Sequence, residues 1–159
     1  RPISAACLLN TSGKPESLEA AAQREKTIVA IERDFDKVTL GVTRFATCVE
    51  TQANAVLMDD MLSVMRAVGA KTAIAQNRAI MARPDARLHL HSVRCPVLVM
   101  CGDSDQLTPL ECSREIAALV PHALLEIVPQ CGHMLTMERP DIVNSTLIAW
   151  LQSLPGTPA

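Results

Sequence analysis

Two loops of this 159-residue chain carry ionisable side chains directly after apolar segments. The first loop, residues 102–109 (GDSDQLTP), contains Asp103 and Asp105. The second, residues 130–133 (QCGH), ends on His133. A carboxylate beside an imidazole makes a general base, because the carboxylate fixes the tautomer and stabilises the cation that forms when the ring takes a proton. The two loops therefore predict an acid–base pair, with His133 as the base and either aspartate as the acid.

The segments that precede these loops have the pattern of strands in a parallel sheet. Residues 95–101 (CPVLVMC) form a continuous apolar run, which is typical of a strand covered on both faces. Residues 124–128 (LLEIV) predict a second strand, and residues 3–9 (ISAACLL) a strand that ends in a turn at NTSG. Functional groups of open parallel sheets gather beyond the carboxyl ends of the strands. The order of elements therefore brings both loops to one edge of the sheet.

Helical periodicity dominates the long segment between the first two strands. Residues 15–82 predict four helices, the third of which has an apolar stripe after Asn54 and ends at Gly69 as its C-cap. Residues 83–92 are a polar connector. This block is too long for a simple crossover between parallel strands and indicates an inserted helical cap.

Two further helices follow in the second half of the chain. Thr108 and Glu111 have the spacing of a capping box for a helix that runs to about Val120, and Pro140 opens the last helix. We therefore predict an α/β fold of about three parallel strands, flanking helices and a cap. Its expected division is a core strand at 1–12, cap and connector at 13–91, and a core carrying the acid and base loops at 92–159, within a single incomplete domain.

Composition limits the classes of partner. The net charge is −2, no basic run is present and aromatic residues make up 2% of the chain, which together argue against a nucleic-acid partner. No stretch of ~18 apolar residues exists to span a membrane. The six cysteines are interpreted as reduced thiols, because a chain of this length needs no disulfides, and reduced thiols indicate a cytoplasmic protein.

Two alternatives to an acid–base pair use the same loops. A zinc site is conceivable from five side chains, but a Cys-x-His spacing is unlike the usual zinc pairs, so we expect no metal; the five are Cys101, Asp103, Asp105, Cys131 and His133. Cys131 is also a candidate nucleophile, because it lies two positions from the base, although near neighbours on a loop usually point apart.

Methionines and one leucine are the candidates for lining a substrate. Met58, Met61 and Met65 form a stripe on the third cap helix, which either packs against the core or lines an apolar acyl pocket. Met134 and Leu135 follow the predicted base directly and are therefore expected near a bound substrate.

Residues 95–151 resemble the C-terminal part of the α/β-hydrolase fold superfamily. The matching pieces are CPVLVMCG, GDSDQLTP, SREIAALVPHA, LLEIV, CGH and ERPDIVNSTLIAWL. The resemblance implies that the acid is the aspartate of the G-x-x-D turn, Asp105 rather than Asp103, and that the base is the histidine of the G-H pair, His133. The segment LLNTSGKP resembles the strand that leads into the cap, and QNRAIMARPDAR resembles caps of small esterase, lactonase and aminopeptidase-like members.

One departure from the family pattern concerns the nucleophile. The family's serine lies in a G-x-S-x-G turn that precedes the acid and the base, and this sequence contains no such motif and no preceding oxyanion loop. The resemblance therefore implies a partial serine hydrolase whose parent cleaves an ester, lactone or related acyl bond without a cofactor. Its expected partners are a small acyl substrate and the missing N-terminal half of the fold, and the isolated chain is expected to be inactive. The alternative is a non-catalytic fragment or a binding module that reuses the fold.

Overall fold

The computed structural model describes residues 3–154 of the chain. Three strands and nine helices occur within these residues, in the order β1 (Ala6–Leu9), α1 (Leu18–Arg33), α2 (Phe35–Ala46), α3 (Val49–Gln52), α4 (Ala55–Val68), α5 (Ala70–Met81), α6 (Arg87–Leu90), β2 (Val97–Gly102), α7 (Leu110–Leu119), β3 (Leu124–Val128), α8 (Leu135–Glu138) and α9 (Pro140–Ser153).

The three strands form one parallel sheet in the order β1-β2-β3. Ala6 pairs with Val97 at the start of the first ladder, and Gly102 pairs with Val128 at the end of the second. Every residue of β2 is buried, as its continuous apolar run predicts. Parallel pairing directs the carboxyl ends of all three strands to the same edge, so the segments after Leu9, Gly102 and Val128 meet there.

Helices cover both faces of the sheet. On one face, side chains of β2 pack with those of α8 and α9 in a cluster formed by Leu98, Met100, Val128, Cys131, Leu135, Val143 and Trp150. On the other face, the alternate residues of β2 pack against α7 in a cluster formed by Val97, Val99, Ile116 and Val120. This arrangement confirms the predicted fold of three parallel strands with flanking helices.

Helices α1 to α5 lie between β1 and β2 in the chain. Helix α1 packs against α5, and α2 packs against α4. Ser17, Asp34 and Asn54 cap the N-termini of α1, α2 and α4, since each side chain accepts a hydrogen bond from an amide three residues on. Gly69 ends α4 with φ of +76°, as predicted for a C-cap glycine.

The division at 1–12, 13–91 and 92–159 stays a prediction. Its outermost residues, 1–2 and 155–159, lie outside the described part of the chain.

The predicted capping box of α7 is wrong. The N-cap of α7 is Pro109, which provides no side-chain cap, and the helix begins at Leu110. The Thr108 hydroxyl donates instead to Asp105 Oδ2 at 2.7 Å, and the Thr108 amide donates to Asp105 Oδ1 at 3.0 Å. Thr108 is therefore hydrogen bonded to Asp105, whereas the local spacing predicts that it caps α7. Three smaller differences are the short helices α3, α6 and α8. Helix α3 is a fifth helix within residues 15–82, α6 lies within the predicted connector, and α8 follows the His133 loop.

Apolar side chains remain exposed at two places around the sheet. Strands β1 and β3 each pair with β2 alone among the described residues. Leu124 and Ile127 on β3 and Ile148 on α9 are 56%, 38% and 55% exposed. Unpaired strand edges and apolar patches of this kind promote association between chains.

We expect the isolated 159-residue chain to self-associate in solution and to bind an apolar dye such as anilinonaphthalene sulfonate. Sedimentation velocity over a range of concentrations, with dye fluorescence measured in parallel, tests this. A monomer at all concentrations with a single cooperative melt would contradict it.

Candidate active site

Asp105 and His133 lie in direct contact at the carboxyl edge of the sheet. His133 Nδ1 is 2.8 Å from Asp105 Oδ2. Because the Thr108 hydroxyl already donates to that oxygen and an ionised carboxylate only accepts, Nδ1 carries the proton of this hydrogen bond. The lone pair on Nε2 is then the basic site of the ring. The His133 side chain is 29% exposed, whereas that of Asp105 is 0% exposed.

Asp105 accepts hydrogen bonds from its own loop as well as from the imidazole. The amides of Leu107 and Thr108 donate to Oδ1 at 2.8 and 3.0 Å, and the Thr108 hydroxyl donates to Oδ2. Burial opposes ionisation, but the hydrogen bonds from His133 and Thr108 outweigh it and hold the pKa of Asp105 below its ordinary value. The carboxylate is therefore ionised and fixed in place at neutral pH.

Asp103 lies in a different environment from Asp105. Its Oδ1 accepts a hydrogen bond from the Ser104 hydroxyl at 2.8 Å and approaches the Cys131 amide at 3.4 Å. The structure thus brings Asp105 to the imidazole and leaves Asp103 bound to backbone and hydroxyl groups of the two loops.

Asn10, at the end of β1, holds the His133 loop against the end of β2. Its Nδ2 donates to the carbonyls of Gly132 and His133 at 3.0 and 2.7 Å, and its Oδ1 accepts from the Gly102 amide at 3.0 Å. Asn10 is buried and has a left-handed backbone with φ of 40°, which asparagine tolerates better than most residues. Sequence reasoning placed Asn10 only in a turn. Its position after a strand, at the edge where the loops meet, was the available signal.

Two glycines allow the loops to approach this closely. A Cβ atom on Gly102 would overlap the carbonyl oxygens of Cys131 and Gly132. A Cβ atom on Gly132 would lie 2.5 Å from the Ala46 carbonyl oxygen and 2.9 Å from the Cys48 amide nitrogen. The loop that carries His133 is therefore packed directly against the backbone between α2 and α3.

The alternative nucleophile and the zinc site find no support in the geometry. Cys131 is 0% exposed, and burial together with the nearby Glu138 raises the pKa of its thiol to about 12. Within residues 3–154, no group of three or more His, Cys, Asp or Glu side chains is arranged to hold a metal ion. All six cysteines are free thiols.

The candidate substrate-lining residues separate into enclosed and accessible side chains. Met61 is 0% exposed, Met58 is 9% exposed and Leu135 is 2% exposed. Leu135 lies in the core cluster beneath the sheet, because α8 begins there and turns its side chain inward. Met65 and Met134 are half-buried, and Met134 lies beside His133 in the chain.

This chain belongs to the alpha/beta hydrolase fold family, whose model matches residues 19–140. Curated relatives include provisionally named carbamate hydrolases, RutD. The one from Caulobacter sp. (strain K31) is 42% identical over 62 residues, which is 39% of this chain and 23% of the relative. The one from Escherichia coli (strain K12 / DH10B) is 35% identical over 72 residues, which is 45% of this chain and 27% of the relative.

Solved structures share the fold at low sequence identity. A thermophilic esterase from Thermogutta terrifontis superposes with a TM-score of 0.87 at 23% identity, over 95% of this chain and 56% of that protein. The enol-lactonase from Burkholderia xenovorans LB400 superposes with a TM-score of 0.82 at 20% identity, over 95% and 57%. The chain thus spans a little over half the length of these hydrolases. Within its described residues, no helix combines the length and apolarity needed to cross a membrane.

Replacing Gly132 by alanine is expected to destabilise the fold. The added methyl group meets backbone atoms of Ala46 and Cys48, which cannot rotate away, and overpacking of this kind costs about 1–3 kcal/mol. Gly41→Ala is the matched control, because a Cβ there meets nothing within 4 Å. Alanine stabilises a helix interior such as that of α2 by roughly 0.5–1 kcal/mol relative to glycine. Denaturant unfolding compares the two variants, and a Gly132→Ala protein as stable as the unchanged protein would refute the close approach.

Asp105→Asn is expected to lose stability in a pH-dependent way. Because the folded-state pKa of Asp105 lies below the unfolded value of about 3.9, its carboxylate stabilises the fold above that pH. This contribution disappears as the pH falls through the folded-state pKa. The difference in unfolding free energy between the unchanged protein and the variant should therefore be about 1–3 kcal/mol near pH 6 and shrink toward pH 3. Asp59→Asn, on the exposed side of α4, serves as the control, and a pH-independent difference for Asp105→Asn would contradict the assignment.

Proposed function

We propose that Asp105 and His133 are the acid and base of a Ser-Asp-His triad whose serine lies outside these 159 residues. The observation that carries the proposal is the 2.8 Å contact between a fully buried carboxylate and a partly exposed imidazole at the carboxyl edge of a parallel sheet. The family to which the chain belongs contains hydrolases, and in its triad the serine precedes the acid and the base.

The proposed reaction has two halves. His133 Nε2 removes the proton of the serine hydroxyl as the serine oxygen attacks the acyl carbon, and Asp105 stabilises the imidazolium that forms. The imidazolium then gives its proton to the leaving group as the acyl–heteroatom bond breaks. In the second half, Nε2 removes a proton from water as the water oxygen attacks the acyl-enzyme. The imidazolium then returns this proton to the serine oxygen as the acyl–serine bond breaks and the acid product leaves. These steps require no cofactor.

The proposed substrate is a small molecule with an ester, lactone or related acyl bond. Structural neighbours include an esterase and an enol-lactonase, and curated relatives carry a carbamate hydrolase name, so a carbamate falls within the same proposal. Met134 and Met65, both half-buried, are the more accessible of the candidate lining residues and would supply adaptable apolar contacts.

The proposed partner is the N-terminal half of the same fold, carrying the serine and the oxyanion donors. The chain covers 56% and 57% of the esterase and the lactonase, and β1 pairs with β2 alone among the described strands. The edge of β1 that faces away from β2 is the proposed site of pairing.

The six free thiols support a cytoplasmic location for the protein.

The test is His133→Ala in a protein that carries this sequence together with the residues encoded before it. We expect kcat/KM on a short-chain aryl ester to fall by about 10⁴–10⁶-fold, because the serine loses its base. His91→Ala is the matched control, since His91 is exposed and lies outside the site, and it should leave kcat/KM unchanged. The 159-residue chain alone should not hydrolyse the ester.

An unchanged kcat/KM in His133→Ala, or hydrolysis by the chain alone, would overturn this proposal. Absence of activity on any acyl substrate by the longer protein would favour the alternative, a non-catalytic fragment or a binding module.

A further inference from the structure

Glu138 is a buried carboxylate at the end of α8 that accepts four hydrogen bonds. The amides of Gly132 and Met134 donate to its Oε1 at 3.0 and 3.1 Å. The Cys48 amide and the Thr51 hydroxyl donate to its Oε2, both at 2.9 Å. Only 4% of Glu138 is exposed. One carboxylate therefore joins the His133 loop to the segment between α2 and α3.

The two bonds to Oε1 come from the residues on either side of His133. The His133 amide itself donates to the Ala46 carbonyl at 2.6 Å. Two of the three amides of residues 132–134 thus donate to Glu138, and the third donates to the Ala46 carbonyl, two residues before the Cys48 amide that also donates to Glu138. The carbonyls of Gly132 and His133 accept from Asn10. The backbone from which the imidazole projects is fixed at each of these polar groups.

A buried carboxylate is an unfavourable choice for a residue whose role is only to fill space. Burying a carboxylate costs several kcal/mol unless hydrogen bonds compensate for its lost hydration, and an apolar side chain of similar volume often stabilises a fold at least as well. An apolar side chain, however, would leave the amides of Gly132, Met134 and Cys48 without acceptors. The Glu138 carboxylate therefore supplies directional hydrogen bonds that set the position of the loop.

We propose that Glu138 is the positioning residue that holds His133 at its contact with Asp105. The Glu138 carboxylate does this by linking the amides beside His133 to the segment that joins α2 to α3. Two other charged groups lie near the loop: Asp103, which the Cys131 amide approaches, and Arg139, whose Nη1 donates to the Glu138 carbonyl at 2.9 Å. Neither contacts the amides beside His133. The expected effect on kcat rests on the proposed role of His133 as the base. The expected effect on the His133–Asp105 hydrogen bond does not.

The test is Glu138→Gln in the longer protein that carries the preceding residues. Glutamine keeps the size of the side chain but replaces one oxygen by an NH2 group, which cannot accept. Either the loop amides or the Cys48 and Thr51 donors then lose their acceptor. We expect the downfield proton resonance of the His133 Nδ1–H···Asp105 hydrogen bond, assigned by its loss in His133→Ala, to shift upfield or broaden. We also expect kcat to fall by up to about 100-fold, with KM nearly unchanged, because an ångström-scale misplacement of a catalytic group costs rate more than binding.

Two further variants separate positioning from general stability. Glu115→Gln removes the same charge from a carboxylate that is ion-paired to Arg87 and Lys14 and lies away from the loop, and it should leave the resonance and kcat unchanged. Thr51→Val removes one donor to Oε2 and keeps both bonds to the loop amides. Its effect on the resonance should be smaller than that of Glu138→Gln.

A folded Glu138→Gln protein with an unaltered resonance and unaltered kcat would overturn the proposal. If that variant does not fold, Thr51→Val decides, since a perturbed resonance supports positioning from this segment and an unperturbed one refutes it. Unchanged kcat/KM in His133→Ala would instead refute the proposed function. The resonance would still test Glu138 in that case, because it reports the Asp105–His133 bond without turnover.

Discussion

The backbone of residues 131–134 lies between the sheet and the segment that joins α2 to α3, where its polar groups have little access to water. Buried amides and carbonyls need partners, because each unsatisfied group costs about 1–3 kcal/mol. The partners are Asn10 and Ala46, which are distant in the chain, and Glu138, which follows the loop on α8. The observed conformation of the His133 loop therefore depends on contacts with the end of β1, the end of α2 and α8 together.

Close packing follows from the same requirement. Hydrogen bonds of 2.6–3.1 Å between the loop and its neighbours bring backbone against backbone, and side chains at Gly102 and Gly132 would occupy the space that these contacts use. The helical segment between β1 and β2 thus binds the His133 loop directly at Ala46 and, through the Glu138 carboxylate, at Cys48 and Thr51. A change in the conformation of α2 or α3 would act directly on the residues that flank the imidazole.

The features that the sequence predicted well depend on local pattern. The apolar run of β2 and the helical stripe ending at Gly69 are periodic signals, and the positions of Asp105 and His133 follow from where strands end in a parallel sheet. Thr108 was mispredicted because a threonine before Pro109 serves equally well as a helix cap or as a ligand of an aspartate three residues earlier. Leu135 lies two residues after His133 in sequence, yet α8 begins there and its side chain packs in the core. Asn10 and Glu138 contact residues 87 to 123 positions away, and no local pattern encodes such contacts.

Each of the two ionisable groups is held by hydrogen bonds other than the one that joins them. Asp105 is fixed by three donors within its own loop, and these bonds do not involve His133. His133 is fixed through the amides and carbonyls of its own loop, none of which contacts Asp105. The 2.8 Å hydrogen bond between them therefore joins two side chains that are already in position, and little conformational entropy remains to be lost when it forms. Preorganisation of this kind lets a base act without reorganising during proton transfer. It also means that a serine brought to Nε2 from outside these 159 residues, as we propose, would meet an acid–base pair whose geometry does not depend on the serine.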